Sequence, residues 1–401
     1  MPVPFHISPS DMSTFLSCRY KWDLSSPNRQ SLRHRSSPRF YLTAGTALHA
    51  ALEAMADGYW TLTDPVSVAK EVIDKEREAK IAAYTHEYGF KPWPQEMEKF
   101  ETDAEFTLAL VSQYFEQYPA GHELDDQGLT YIATEVPFKI DITEHLDNPG
   151  RTVYFVGTID GVAVDNDDRL FIVENKSYTQ QPEVDDLQFH FQSTGYAVAI
   201  EMLTGQPITG GLYNGVAKKL IKPPKVLKSG KLSVDKRQST TTKEFLKACR
   251  ATGQNPHHPD YAEFFQFLQD REEQGDTRFF YREKFFYNED QKRSWTKDFY
   301  EVANEMVGNP RIYRTIPYNG CGRQGSDCWY ADVCRSAHSG GDVDYILDKR
   351  YIVGSYGTFE EVQGIEPQPV SSIEELKDLL RSNSTFDNVD DMFAYLKGIT
   401  E

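Results

Sequence analysis

Hydrophobic spacing divides this chain into a helical first third and a strand-rich centre. In "ISPSDMSTFLSC", Met12, Phe15 and Leu16 fall on one face of a helix that Ser10 can cap. A Pro- and Arg-rich connection leads to a second helix from about Thr43, "TAGTALHAALEAMADGYW", and further helical patterns cover 65–85 and 94–118. The period then changes to two. "YIATEVPFKID" (131–141), "RTVYFVGTIDGVAVD" (151–165) and "RLFIVENKS" (169–177) read as strands. A helix over 183–203 ends at Gly205, and the strand "GGLYNGVAK" follows. Residues 218–280 read as a basic insertion that includes the helical "HPDYAEFFQFLQDREEQ". "RFFYREKFFYN" resumes as a strand and "WTKDFYEVANEMVGN" as a helix. In the tail, Ser372 and Glu375 form a capping box ahead of Leu376, Leu379 and Leu380. The predicted fold is α/β, a small mixed sheet flanked by helices. The predicted divisions are 1–130 (helical), 131–217 (core), 218–280 (insertion), 281–340 (end of the core) and 341–401 (acidic tail with helices).

Composition narrows the class. The chain's 401 residues suffice for one large domain or two to three smaller ones. "MPVPFHISPS" lacks a basic region followed by an apolar stretch, and no apolar run is long enough to cross a bilayer. Five cysteines, Cys18, Cys249, Cys321, Cys328 and Cys334, are too few and too unevenly spread for a secreted disulfide scaffold. A soluble cytoplasmic protein is expected. The net charge of −18 argues at face value against a nucleic-acid partner. Its distribution softens that: between Arg19 and Arg39 six Lys or Arg face one acid, and Lys218–Arg237 holds eight basic residues and one Asp. Two such segments can hold a phosphate backbone locally, although solvated lysines on a loop have the same composition.

The candidate chemistry lies in "GTIDGVAVDNDDRLFIVENKS", residues 157–177. Asn166-Asp167-Asp168 is good turn material, and a three-residue loop there pairs Asp165 with Arg169. The same register sets Asp160 opposite Glu174, with Lys176 two residues further on the same face. Two acids and a lysine inside an apolar hairpin are costly unless they are paired or bind something. Mg²⁺ or Mn²⁺ takes carboxylate oxygens, and the carbonyl of Asn175 offers a further ligand. Lys176 is suited to orienting or deprotonating the attacking water, or to stabilising charge on a phosphorane-like transition state. An ordinary salt-bridged strand end is the competing reading. Glu-x-Lys alone carries little, since Glu78-Ala79-Lys80 and Glu375-Leu376-Lys377 repeat it in helical context.

"GTIDGV" followed by "FIVENKS" resembles the core of the PD-(D/E)XK nuclease superfamily. "GTALHAALE" (45–53) resembles the helix that gives a histidine to the metal in RecB-type nucleases, and "QSTGY" (192–196) resembles the Gln-x-x-x-Tyr pair of that branch. The resemblance implies His49, Asp160 and Glu174 as metal ligands, with Asn175 beside them, and Lys176 as the catalytic lysine. It places Gln192 and Tyr196 one turn apart, toward the active site or the substrate backbone, with Tyr196 stacking on a strand. One cysteine in "CRYKW" and three in "CGRQGSDCWYADVC" resemble the iron–sulfur members of the RecB/AddB branch, including the CRISPR-associated RecB-like nucleases. Cys18, Cys321, Cys328 and Cys334 would then bind a [4Fe–4S] cluster in a lobe built from both termini. Six residues separate Cys321 from Cys328 where that family usually has two, and zinc competes for a four-cysteine site. Cys249 is left as a core thiol.

The implied activity is a metal-dependent DNA exonuclease in recombination, repair or phage DNA processing. Its partners would be DNA, single-stranded or with free ends, and other recombination or replication proteins. Insertions like 218–280 resemble those of bacteriophage-encoded members, in which case the cytoplasm is the host's. A non-catalytic DNA-binding or regulatory protein, or an iron–sulfur sensor on a nuclease fold, is the alternative.

Overall fold

The strand Val153–Asp165 organises the sheet, pairing with three others. The computed structural model describes residues 2–34, 44–56, 64–119, 121–122, 124–181, 191–308, 310–314, 328–353, 365 and 367–384. Strands within them, numbered in chain order, are β1 (Phe5–Ile7), β2 (Leu32–His34), β3 (Leu129–Asp141), β4 (Val153–Asp165), β5 (Leu170–Tyr178), β6 (Ile208–Ala217), β7 (Phe280–Phe286) and β8 (Tyr351–Val353). β3 runs antiparallel to β4 along one whole edge. The other edge is shared: β1 lies parallel to Val153–Phe155, and β5 antiparallel to Gly161–Val164. Beyond β5, β6 adds parallel and β7 antiparallel. The sheet is mixed and flanked by helices, as expected.

The β4–β5 turn follows its local chemistry. Asp165 N–H donates to the Arg169 carbonyl at 3.0 Å, and the Asp165 carboxylate accepts from the N–H groups of Asp167 and Arg169 at 2.9 Å each. Asp168 turns left-handed with φ 58°, which Asp tolerates better than most residues. The loop and its register are therefore those predicted.

Helices cover the sheet in two groups. Phe191–Thr204 and Glu289–Val307 pack onto the main core with Phe138, Phe155 and Ile172. Gly195 lets them approach: a Cβ there would lie 2.6 Å from the Trp295 ring, whose Nε1–H donates to the Phe191 carbonyl at 2.9 Å. Helices Ala44–Ala56, Pro65–Tyr88 and Pro94–Gln117 form a second core around Leu48, Val72 and Tyr114, which takes in Val216 of β6. The insertion has its own small core, with Phe245, Cys249, Tyr261 and Phe264 between helices Thr242–Thr252 and Pro259–Glu273.

Several expectations shift. The first helix is capped by Ser8, with Pro9 at its first position, and not by Ser10. Of the helix expected over 183–203, residues 182–190 lie outside the described residues and the rest is Phe191–Thr204. The helix expected from Trp295 starts at Glu289, because Asn288 and Gln291 close a capping box ahead of it. Ser372 accepts from Glu375 N–H at 3.2 Å, but the Glu375 carboxylate returns to Ser371 N–H at 2.7 Å, one residue earlier than predicted.

Described segments near both ends join the core. β1 joins the main sheet, and the helix Ile373–Ser384 buries Leu376 and Leu380 in the main core while Arg381 donates to the Ile132 carbonyl. β2 pairs with β8, and Tyr330 donates to the Leu32 carbonyl, so residues 32–34 meet residues 330–353. No helix among the described residues is long and apolar enough to cross a membrane.

Candidate active site

Asp160 sits where the second edge of β4 changes partner. The β4–β5 ladder ends at Gly161–Val173, and one step further the register sets Asp160 across from Glu174. On the other edge, the pairs Thr134–Gly161 and Val136–Ile159 set Glu135 across from Asp160. Three acids on three neighbouring strands thus occupy one level of the sheet. Glu135 has φ 44°, soon after a bulge between Tyr131 and Ala133. A strained residue of this kind costs about 1–3 kcal/mol and is held by its surroundings.

The helix Ala44–Ala56 delivers His49 to this level. Its Nε2 donates to the Asn175 carbonyl at 3.0 Å, and its Nδ1 lies 3.4 Å from Glu135 Oε1. One ligand atom from each of His49, Glu135 and Asp160 lies within 4.8 Å of the others, a group able to hold a metal ion. Glu174 is engaged elsewhere: its Oε1 lies 2.5 Å from Lys176 Nζ. In this state Glu135, which sequence reasoning missed, fills the place expected of Glu174.

Electrostatics here are those of a crowded anionic site. Burial pushes the Asp160 carboxyl up, against the pull of His49 and Lys176. Burial alone would lower His49, but the charges of Asp160 and Glu135 and the bond to Glu135 outweigh it and raise its pKa to about 9. Lys176 follows the same logic: burial lowers it, Glu174 and Asp160 raise it further, and it is held above its ordinary value. As found, Lys176 is a cationic donor and not a base.

Asn175 braces the site from three directions. Its N–H donates to Asp160 Oδ2 at 2.8 Å, its carbonyl accepts from His49, and its side-chain Oδ1 accepts from Asn214 Nδ2 at 2.8 Å. Asn214 Oδ1 accepts in turn from Arg282 Nε at 2.9 Å. Arg282 is itself fixed by Tyr114 at 2.6 Å, by Asp126 at 2.5 Å and by the face of Tyr118, 3.4 Å from its guanidinium carbon. The carbonyl expected as a ligand is thus occupied by His49 in this state.

Gln192 and Tyr196 meet each other, with Gln192 Nε2 donating to the Tyr196 hydroxyl at 2.7 Å. Tyr196 is 5% exposed and edge-on to Phe138, so its ring has no face open to a base. The stacking role expected of it is therefore corrected: it forms part of the site wall, close to the charges of Glu174 and Asp160.

The cysteines are more dispersed. Cys18 opens the helix Arg19–Ser25, its sulfur accepting from Lys21 N–H at 3.5 Å. Cys334 lies within electrostatic reach of Tyr20 on that helix, and Cys328 packs with Leu24, Tyr330 and Tyr351. Cys321 lies outside the described residues. Three cysteines thus reach the junction of the termini without forming a ligand group as compact as His49, Glu135 and Asp160. Cys249 is buried in the insertion, as expected of a core thiol.

A nitrogen and two carboxylates gathered beside a protonated lysine suit a divalent ion acting on an anionic ester. That chemistry, at the end of a hairpin in a mixed sheet, is the chemistry of metal-dependent nucleases. The family comparison agrees: the model of the PD-(D/E)XK nuclease superfamily matches residues 6–335, and the chain belongs to that superfamily. No curated protein matches the chain.

Two outcomes follow from this geometry. A metal ligand must be neutral imidazole, so Mn²⁺ binding near neutral pH should release about one proton from His49, and affinity should rise with pH until its pKa of about 9 is passed. Calorimetry in buffers of different ionisation heat measures this, and a proton-neutral association would contradict it. Replacing Asn214 with Leu removes the brace on Asn175. It should weaken Mn²⁺ binding by about 10- to 100-fold, as loss of an outer hydrogen-bond partner does. Unchanged calorimetric affinity would show that Asn175 needs no support.

Proposed function

We propose that this protein is a divalent-metal-dependent deoxyribonuclease that degrades DNA from free ends, in recombination, repair or phage DNA processing. The observation that carries the reading is the gathering of His49, Glu135 and Asp160 within 4.8 Å. Mg²⁺ or Mn²⁺ held there supplies Lewis acidity toward a phosphodiester oxygen. His49, Glu135 and Asp160 would hold the ion, and Glu174 would join them by giving up Lys176. Lys176, once released, directs its ammonium at the phosphoryl oxygens, where negative charge grows in the transition state. Gln192 and Tyr196 fix the wall against which the scissile phosphate rests. The DNA assignment is supported by the superfamily and by the basic run Lys218–Arg237.

In the same reading Cys18, Cys321, Cys328 and Cys334 bind a [4Fe–4S] cluster that staples the two termini. Support comes from the lobe in which β2 meets β8 and from the positions of Cys18, Cys328 and Cys334 at that junction.

The test of activity uses end-labelled single- and double-stranded DNA, linear and circular, with Mg²⁺ or Mn²⁺. Linear DNA should shorten from its ends while circles persist, and Lys176→Ala should slow turnover by about 10²- to 10³-fold with metal and DNA binding retained. Near-normal turnover in that variant would remove Lys176 from the chemistry, and equal cutting of circles would remove the exonuclease assignment.

The cluster is tested by anaerobic purification. Brown protein with about four irons per chain is expected, lost in Cys18→Ser and Cys334→Ser and kept in Cys249→Ser. A colourless preparation holding one zinc would replace the cluster with a zinc staple.

A further inference from the structure

We propose that Tyr178 and Tyr213 form a base-stacking platform beside Lys176 for a single nucleic-acid strand, whose backbone follows the lysines that open the insertion. The proposal rests on the nuclease reading above and adds a substrate subsite to it. Along β5, Glu174, Lys176 and Tyr178 recur at two-residue intervals and so share one face. On β6 the register sets Tyr213 beside Glu174, Gly215 beside Lys176 and Ala217 beside Tyr178, and β7 sets Tyr281 beside Gly215. Gly215 makes the platform: a Cβ there would lie 2.6 Å from the Tyr213 ring and 2.7 Å from the Tyr178 ring, so both rings lie down over the glycine. Tyr281, 3% exposed, backs Tyr213 with ring centroids 5.9 Å apart. Tyr178 is pinned by its hydroxyl, which donates to the Thr277 carbonyl at 3.1 Å. Tyr178 and Tyr213 are partly buried and keep some solvent exposure, and Tyr213 lies within electrostatic reach of Lys176 and Glu174. Rigid aromatic faces next to the catalytic lysine suit stacking of any base, without sequence preference.

Charge gives the strand a direction. Lys218 N–H donates to the Tyr178 carbonyl at 2.7 Å, so the basic run begins where β5 ends. Further along that run, Lys231, Lys236 and Arg237 pair with Asp260, Glu263 and Asp235. Lys218, Lys222, Lys225 and Lys228 are exposed and form no ion pair among the described residues. On the opposite side, β7 sets Glu283 beside Tyr213. Phosphates are repelled there and drawn toward the lysines, which leaves the bases over the rings.

The test measures fluorescence anisotropy of a labelled single-stranded oligonucleotide and of a blunt duplex, with divalent ions chelated so that nothing is cut. Tyr178→Ala and Tyr213→Ala should each weaken single-strand binding about ten-fold, with Phe at either position restoring it and duplex binding changing less. Lys222, Lys225 and Lys228 together changed to Gln should lower the salt slope for the single strand by about two. Wild-type single-strand affinity in both Ala variants overturns the platform, as does an equal loss with Phe. An unchanged salt slope overturns the lysine track. Cleavage of the same oligonucleotide by the wild-type protein in Mn²⁺ separates the two readings. Cutting with undiminished binding by the Ala variants sinks the platform alone. Ring-dependent binding without cutting sinks the nuclease reading alone.

Discussion

Like charges gathered in a buried place are the constraint around which this protein is arranged. Asp160, Glu135 and Glu174 occupy one level of three adjacent strands, and each is at most 9% exposed. Without compensation, such a group favours protonation or unfolding. The chain answers with two cations from different elements. His49 arrives on a helix and lies between Glu135 and Asn175, and Lys176 closes on Glu174. The raised pKa values of His49 and Lys176 are the counterpart of those neighbours. His49 therefore contributes stability to the metal-free protein fully below its ordinary pKa and loses that contribution as pH rises through about 9. A divalent ion bound there would take over their compensating role, with neutral His49 as a ligand and Lys176 released from Glu174.

The backbone devices of the sheet serve the same cluster. Because β4 changes partner between β1 and β5, Asp160 receives a hydrogen bond from Asn175 N–H. Asn175 can hold Asp160 and His49 together because Asn214 and Arg282, from β6 and β7, lock its side chain. The order of the cluster thus reaches back two strands, to Asn214 on β6 and Arg282 on β7.

Some of this was legible locally and some was not. The β4–β5 hairpin could be read because its turn chemistry and two-residue period lie within a few residues of each other, and Asp160, Glu174 and Lys176 came with it. Glu135 was missed inside "YIATEVPFKID", where an acid in the middle of an apolar strand was the available signal. Asn214 and Arg282 carry no local signal, since their pairing joins positions 68 residues apart. The docking of the final helix onto β3 spans a still longer separation, Arg381 to Ile132. The stacking expected of Tyr196 failed for the same reason: its helix position was readable, but its burial against Phe138 was set by the sheet.

The most direct test of the account is anomalous diffraction at the manganese edge from crystals soaked in Mn²⁺. The predicted result is one strong peak bounded by His49, Glu135 and Asp160. Manganese bound only at other positions, with that space empty, would contradict it.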